Sequence, residues 1–221
     1  MKSLMSAFLI LAMGSAAAVK AGQAPAAATA RPQASAVEDL GHYAEDAYDQ
    51  AKVADWTKGK ASVEALKAAA RRLGPAERKV AGLMRQLDGA VSALDKAVAG
   101  RDKPAAMREA NALTRVDAEL SRPSKPAVPA DVTLLDYYGR ELEIWASARD
   151  EAKLRSTVEG MGTTWRGLRP QIVAHGGSKV AARFDSLVKQ AESAPRADTL
   201  ARLATPILDE VDNLENVFPA K

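Results

Sequence analysis

Apolar residues recur at intervals of three and four along most of this chain, and nowhere do they alternate with a period of two. The first spacing lines up one face of a helix, whereas the second would mark a strand, so the pattern predicts an all-α protein. Val37, Leu40, Tyr43 or Ala44, Ala47, Ala51 and Ala54 form the first stripe. Asp55 then stands as the N-cap of a second helix carrying Val63, Leu66, Ala70 and Leu73, which Gly74-Pro75 interrupts. A third helix is expected from about Ala76 to Val98, with Val80, Leu83, Leu87, Val91 and Leu94 buried and Gly100 as its stop. The fourth begins at Asp102, takes Pro104 into its first turn, and buries Met107, Ala110, Leu113, Val116 and Leu120.

Between Ser121 and Ala130 the chain reads SRPSKPAVPA. Pro123, Pro126 and Pro129 each remove a backbone donor and turn the preceding residue away from helix, which predicts a linker. Beyond it, Val132, Leu135, Tyr138, Leu142 and Trp145 mark a fifth helix, and a sixth is expected from Asp150 to about Leu168, ahead of Pro170. His175-Gly176-Gly177 reads as a break before a helix through Val180, Phe184 and Val188. The last stripe is Leu200, Leu203, Ile207, Val211 and Leu214, with a kink expected at Pro206.

The second series repeats the first. With Val132 set on Val37, an offset of 95, Leu135 falls on Leu40, Tyr138 on Tyr43, Asp150 on Asp55, Lys153 on Lys58 and Pro170 on Pro75. Thr157–Met161 falls on Ser62–Leu66 in the same register. The reading is an internal duplication giving two tandem four-helix units, as an up-and-down bundle or a helical array. The expected organisation is a signal peptide over 1–21, a flexible leader over 22–36, unit 1 over 37–121, a proline-rich linker over 122–130 and unit 2 over 131–218.

The N-terminus changes the picture of where the protein works. Lys2, the apolar run Leu4–Met13 and the small residues Ala16 and Ala18 have the form of a secretory signal, cleaved after Ala18 or Ala21. The apolar run is too short for a comfortable span, so no integral membrane segment is expected after cleavage, and the chain is placed in the periplasm or outside the cell. Cleavage after Ala21 removes Lys2 and Lys20 and takes the formal charge from +3 to +1. The remaining charges of both signs are interspersed, without the basic stripe that phosphate neutralisation requires, so nucleic acid is not an expected partner. The chain has no cysteine, which rules out disulfides, thiolate nucleophiles and cysteine-held clusters.

All four tyrosines lie on the first helix of each half, Tyr43 and Tyr48 on one, Tyr137 and Tyr138 on the other, with Trp145 near the end of the second. Amphipathic rings concentrated on equivalent helices predict a polar-aromatic pocket between the units, with Tyr43, Tyr48, Tyr137, Tyr138 and Trp145 as ligand-binding residues. Ordinary core packing of the same rings is the competing reading. His42, Glu45 and Asp49 share neighbouring helical positions, an arrangement that ligates a transition metal when other helices add carboxylates, here Glu141 and Glu143. The GHYAE segment is similar to the G-x-H-x-x-E motif of the imelysin-like periplasmic proteins, which are also duplicated helical bundles. That resemblance covers His42 and Glu45, with the glycine one position closer, and it implies metal binding at those two residues. Set against it, the wheel points His42, Glu45 and Asp49 mostly away from the apolar stripe, as a solvated acidic face. His175 before two glycines reads as a helix C-terminal residue. There is no G-x-S-x-G elbow, P-loop or H-E-x-x-H. The expectation is therefore a non-enzymatic exported protein that binds a small ligand or a periplasmic partner, without a required cofactor; metal binding is the alternative.

Overall fold

Ser35 opens the first helix. Its hydroxyl accepts from the Glu38 N–H while the Glu38 carboxylate accepts from the Ser35 N–H, so two donors left over at the helix start are satisfied together. In the computed structural model, which describes residues 35–194 and 196–218, eight helices follow and no strand occurs among those residues. They are α1 (Ala36–Lys52), α2 (Trp56–Arg72), α3 (Ala81–Ala99), α4 (Lys103–Ser121), α5 (Ala130–Ala148), α6 (Glu151–Ala174), α7 (Ser178–Glu192) and α8 (Ala197–Glu215). The signal-like segment and nearly all of the leader lie outside the described residues. No described helix is long and apolar enough to cross a membrane.

Most boundaries sit where the residue chemistry predicts them. Asp55, Asp102 and Asp150 each accept from the backbone N–H three residues on. Two expectations need correction, at Val80 and at Pro170. Val80 is not in a core stripe but 45% exposed, because Glu77–Lys79 forms a 3-10 turn and Val80 sits between it and α3, off the helical period. Within the expected linker, Arg122–Ser124 forms a second 3-10 turn stopped by Lys125 in the left-handed region. The sixth helix does not end before Pro170 but runs through it to Ala174, and the fully buried Ile172 holds that last turn against the core. The first helix starts at Ala36, beside the expected Val37, because Ser35 caps it.

Two apolar cores form among the described residues. Leu40, Tyr48, Leu66, Leu87, Leu94 and Leu113 belong to one, among α1–α4; Leu135, Leu142, Met161, Phe184, Ile207 and Leu214 belong to the other, among α5–α8. In the first, α1 packs on α2 and α4, and α3 on α2 and α4; in the second, α5 packs on α6 and α8, and α7 on α6 and α8. The packing of α4 on α5 joins them. Because α5 meets α4, α6 and α8, it is buried on nearly every side: Leu134, Leu135, Asp136, Gly139, Arg140, Leu142 and Ile144 are all buried. Ile144 belongs to the first core although its helix builds the second, and Trp145 packs against both.

Candidate functional site

The enclosure of α5 forces its polar residues to find partners on other helices, since a buried charge without compensation is very costly. Arg140 is only 8% exposed. It donates from Nη1 to Thr114 Oγ1 on α4 at 3.3 Å, lies 3.8 Å from Glu45 on α1, and stacks its guanidinium 5.0 Å from the centre of the Tyr48 ring. One turn back, Asp136 Oδ2 is 3.1 Å from Arg140 Nη2, close enough for charge attraction but off the N–H direction, so that buried oxygen accepts no hydrogen bond among the described residues. Tyr48 donates to Glu143 at 3.0 Å, and Lys52 donates to the same carboxylate at 2.9 Å.

Acid groups outnumber cations here, and burial raises their pKa values. Asp136 is pushed up to about 6 by burial, opposed by Arg140 and reinforced by Glu45, Asp212 and Asp49. Asp117 on α4 is pushed up to about 7, again first by burial and then by Glu45 and Glu38. Its carboxyl lies against the backbone of α1, where a Cβ on Gly41 would stand 2.7 Å from Oδ2, and Oδ1 is shut off from water without a partner among the described residues. Glu45 and Glu215 are raised as well, chiefly by burial. Burial and the Glu143 charge hold the Tyr48 phenol far above its ordinary value, so it serves as a donor.

On another side of α5 a groove of about 620 Å³ opens between α4, α5 and α6. Tyr137 and Tyr138 line it with edge-on rings 5.2 Å apart, together with Arg115, Glu141, Lys153 and Thr164. Tyr138 lies directly over Gly160 of α6, where a Cβ would meet the ring at 2.7 Å. The buried Asn111 of α4 donates to the Tyr137 carbonyl at 3.1 Å and so ties the groove to α4. The Glu141 carboxylate accepts from the Trp145 indole N–H, and Lys153 Nζ lies 5.5 Å from the centre of the same indole. Burial pushes the Tyr137 phenol up to about 12 and raises Glu141.

The aromatic residues expected to share one pocket are therefore divided. Tyr43 packs against the first core and Tyr138 against the second; Tyr48 is buried beneath Arg140; Tyr137 and Tyr138 line the groove; Trp145 seals the boundary between the cores. The expected metal residues are not brought together either. His42 is exposed, 3.6 Å from Asp46 and 5.4 Å ring to ring from Tyr43, while Glu45 faces Arg140 and Asp49 is exposed. Glu143 is held by Tyr48 and Lys52, and Glu141 by Trp145. Among the described residues no group of three or more His, Asp or Glu side chains is placed to hold a metal ion. His175 does end α6, its ring against Phe218 and its Nδ1 2.8 Å from the Gln171 carbonyl.

Sequence reasoning missed Arg140, Asp136, Thr114, Asn111 and Asp117. A signal was present: Leu134 and Ile144 fall outside the stripe through Val132, Leu135 and Leu142, so α5 carries apolar residues on several faces. A helix of that kind is enclosed, and its polar residues are enclosed with it. Comparison with protein-family models, with curated proteins and with solved structures gives no match.

Proposed function

We propose that this chain is an exported, non-enzymatic helical binding protein of the periplasm that holds a small hydrogen-bonding ligand in the groove between α4, α5 and α6. The groove itself carries this reading. Its volume of about 620 Å³ falls in the range of small-molecule sites, and it presents two tyrosine rings for stacking beside side chains of both charges and several hydroxyls. It lies where helices of the two cores meet, a common location for ligand sites.

The proposed architecture is a duplicated up-and-down four-helix unit. Supporting this, Ala54 and Arg149, 95 residues apart, both take a left-handed conformation, at φ 58° and 54°. The next residues, Asp55 and Asp150, donate back to Gln50 and Trp145 at 2.9 and 3.0 Å and then cap the following helix through their side chains. The last helices, α4 and α8, begin at Lys103 and Ala197 and are each 19 residues long.

Native mass spectrometry of the chain recovered from the periplasm, beside its Tyr138→Ala variant, tests the functional reading. An organic mass carried by the wild type and lost from a folded variant supports it. A ligand retained by the variant removes the groove, and a chain that carries nothing and shows no thermal shift against a panel of sugars, amino acids and peptides removes the small ligand.

A further inference from the structure

A second cleft, of about 450 Å³, lies where the C-terminal ends of α1 and α5 meet the start of α4. Its floor is apolar: Met107 and Ile144 are buried members of the first core, and Pro104, Trp145 and Ala148 extend the surface outward. The rim is cationic, with Lys52, Lys103 and Arg108 lining it beside one carboxylate, Glu143. That carboxylate is already engaged by the Tyr48 hydroxyl and by Lys52 at 2.9 Å, so it does not neutralise the other two cations. Lys103 Nζ donates to the Lys52 carbonyl at 2.6 Å, which anchors the amine at the cleft mouth and leaves it further donors. Arg108 meets only its sequence neighbour Glu109, through Nε at 3.4 Å, leaving the outer edge of its guanidinium free among the described contacts.

We propose that this cleft binds an amphipathic anion, an alkyl or aryl chain ending in a single carboxylate, with the chain over Met107, Ile144 and Trp145 and the headgroup held by Lys103 and Arg108. Apolar burial supplies attraction, and the excess of cations over available carboxylates selects the charge. Arginine and lysine differ in their contributions: the planar guanidinium takes a carboxylate in two parallel hydrogen bonds, while the lysine acts as a point charge. The cleft is separate from the Tyr137–Tyr138 groove, so the inference does not depend on the proposed function.

The test is a calorimetric titration of the folded chain with sodium decanoate below its micellar range, alongside neutral decanol. Decanoate is expected to bind the wild type, with decanol weaker by roughly tenfold or more, the loss of about one charge-assisted interaction. Lys103→Glu with Arg108→Glu is expected to weaken decanoate to the level of decanol. Ala148→Trp, at an exposed position on the cleft wall, is expected to block both. Tyr138→Ala is expected to leave both unchanged. Absence of decanoate binding, equal binding of decanol, or decanoate binding that survives the charge reversal or the Ala148→Trp block in a folded variant would each overturn the proposal.

Discussion

The Tyr48 hydroxyl of α1 donates to Glu143 of α5 at 3.0 Å, across 95 positions of the chain. The contact joins a buried phenol of α1 to a carboxylate of α5. Tyr48→Phe keeps the ring beneath Arg140 but removes the donor. The expected cost is about 1–2 kcal/mol, read from urea denaturation, because Lys52 continues to satisfy the carboxylate. A variant as stable as the wild type would show that Lys52 alone suffices.

Arg140 is buried with Asp136 and also lies beside the half-exposed Glu45, so it compensates both carboxylates. Its replacement by methionine leaves those carboxylates facing each other and is expected to cost about 3–5 kcal/mol. Arg140→Met combined with Asp136→Leu removes the charge and its nearest opponent together, and is expected to recover most of that loss. The double-mutant cycle measures the coupling directly. Independent, additive effects would contradict the pairing.

Asp117 sets a pH dependence whose sign follows from its burial. The folded state keeps the proton to about 7, whereas the unfolded chain loses it near the ordinary aspartate value of 3.8. Between those values folding takes up a proton, so stability falls as pH rises through the window and flattens above it. Asp136, raised to about 6, adds a change of the same sign over the lower part of the window. The melting temperature is expected to be higher at pH 5 than at pH 8. Asp117→Asn is expected to raise the pH 8 value and reduce the difference. A wild type that gains stability from pH 5 to pH 8 would contradict this assignment.

Two glycines of α6 separate helix propensity from packing. A Cβ at Gly167 meets nothing within 4 Å, so Gly167→Ala is expected to stabilise by roughly 0.5–1 kcal/mol. At Gly160 the same methyl would stand 2.7 Å from the Tyr138 ring. There the ring must move off the α6 backbone, so the gain is expected to shrink or reverse while near-ultraviolet circular dichroism reports the altered tyrosine environment. Identical gains at both positions would mean that Tyr138 does not rest on Gly160.

How far the site could be read beforehand differs from residue to residue. Residue type and place on a helix mark Tyr137 and Tyr138 as candidates, and both line the groove between α4, α5 and α6. Grouping Tyr43 and Tyr48 with them requires α1 and α5 to face one another across a shared pocket. Instead α5 is joined to the first core through α4, which leaves Tyr43 and Tyr48 turned inward. The spacing on its own helix puts Glu45 on an exposed acidic face; a guanidinium arriving from α5 gives it a partner that lies 95 positions away.

The sequence by itself determined the local features: an all-helical chain, the helix starts at Asp55, Asp102 and Asp150, and the division of most apolar residues into stripes. These depend on periodicity, capping and backbone restriction over a few neighbouring residues. Tertiary structure alone decided that α5 is enclosed on several sides, that Arg140, Asp136 and Asn111 are buried with it, and that Pro170 lies within a helix. Whether a polar face meets water or another helix depends on packing between distant segments. A lost hydrogen bond at a proline is likewise tolerated where a side chain such as Ile172 is fully buried beyond it.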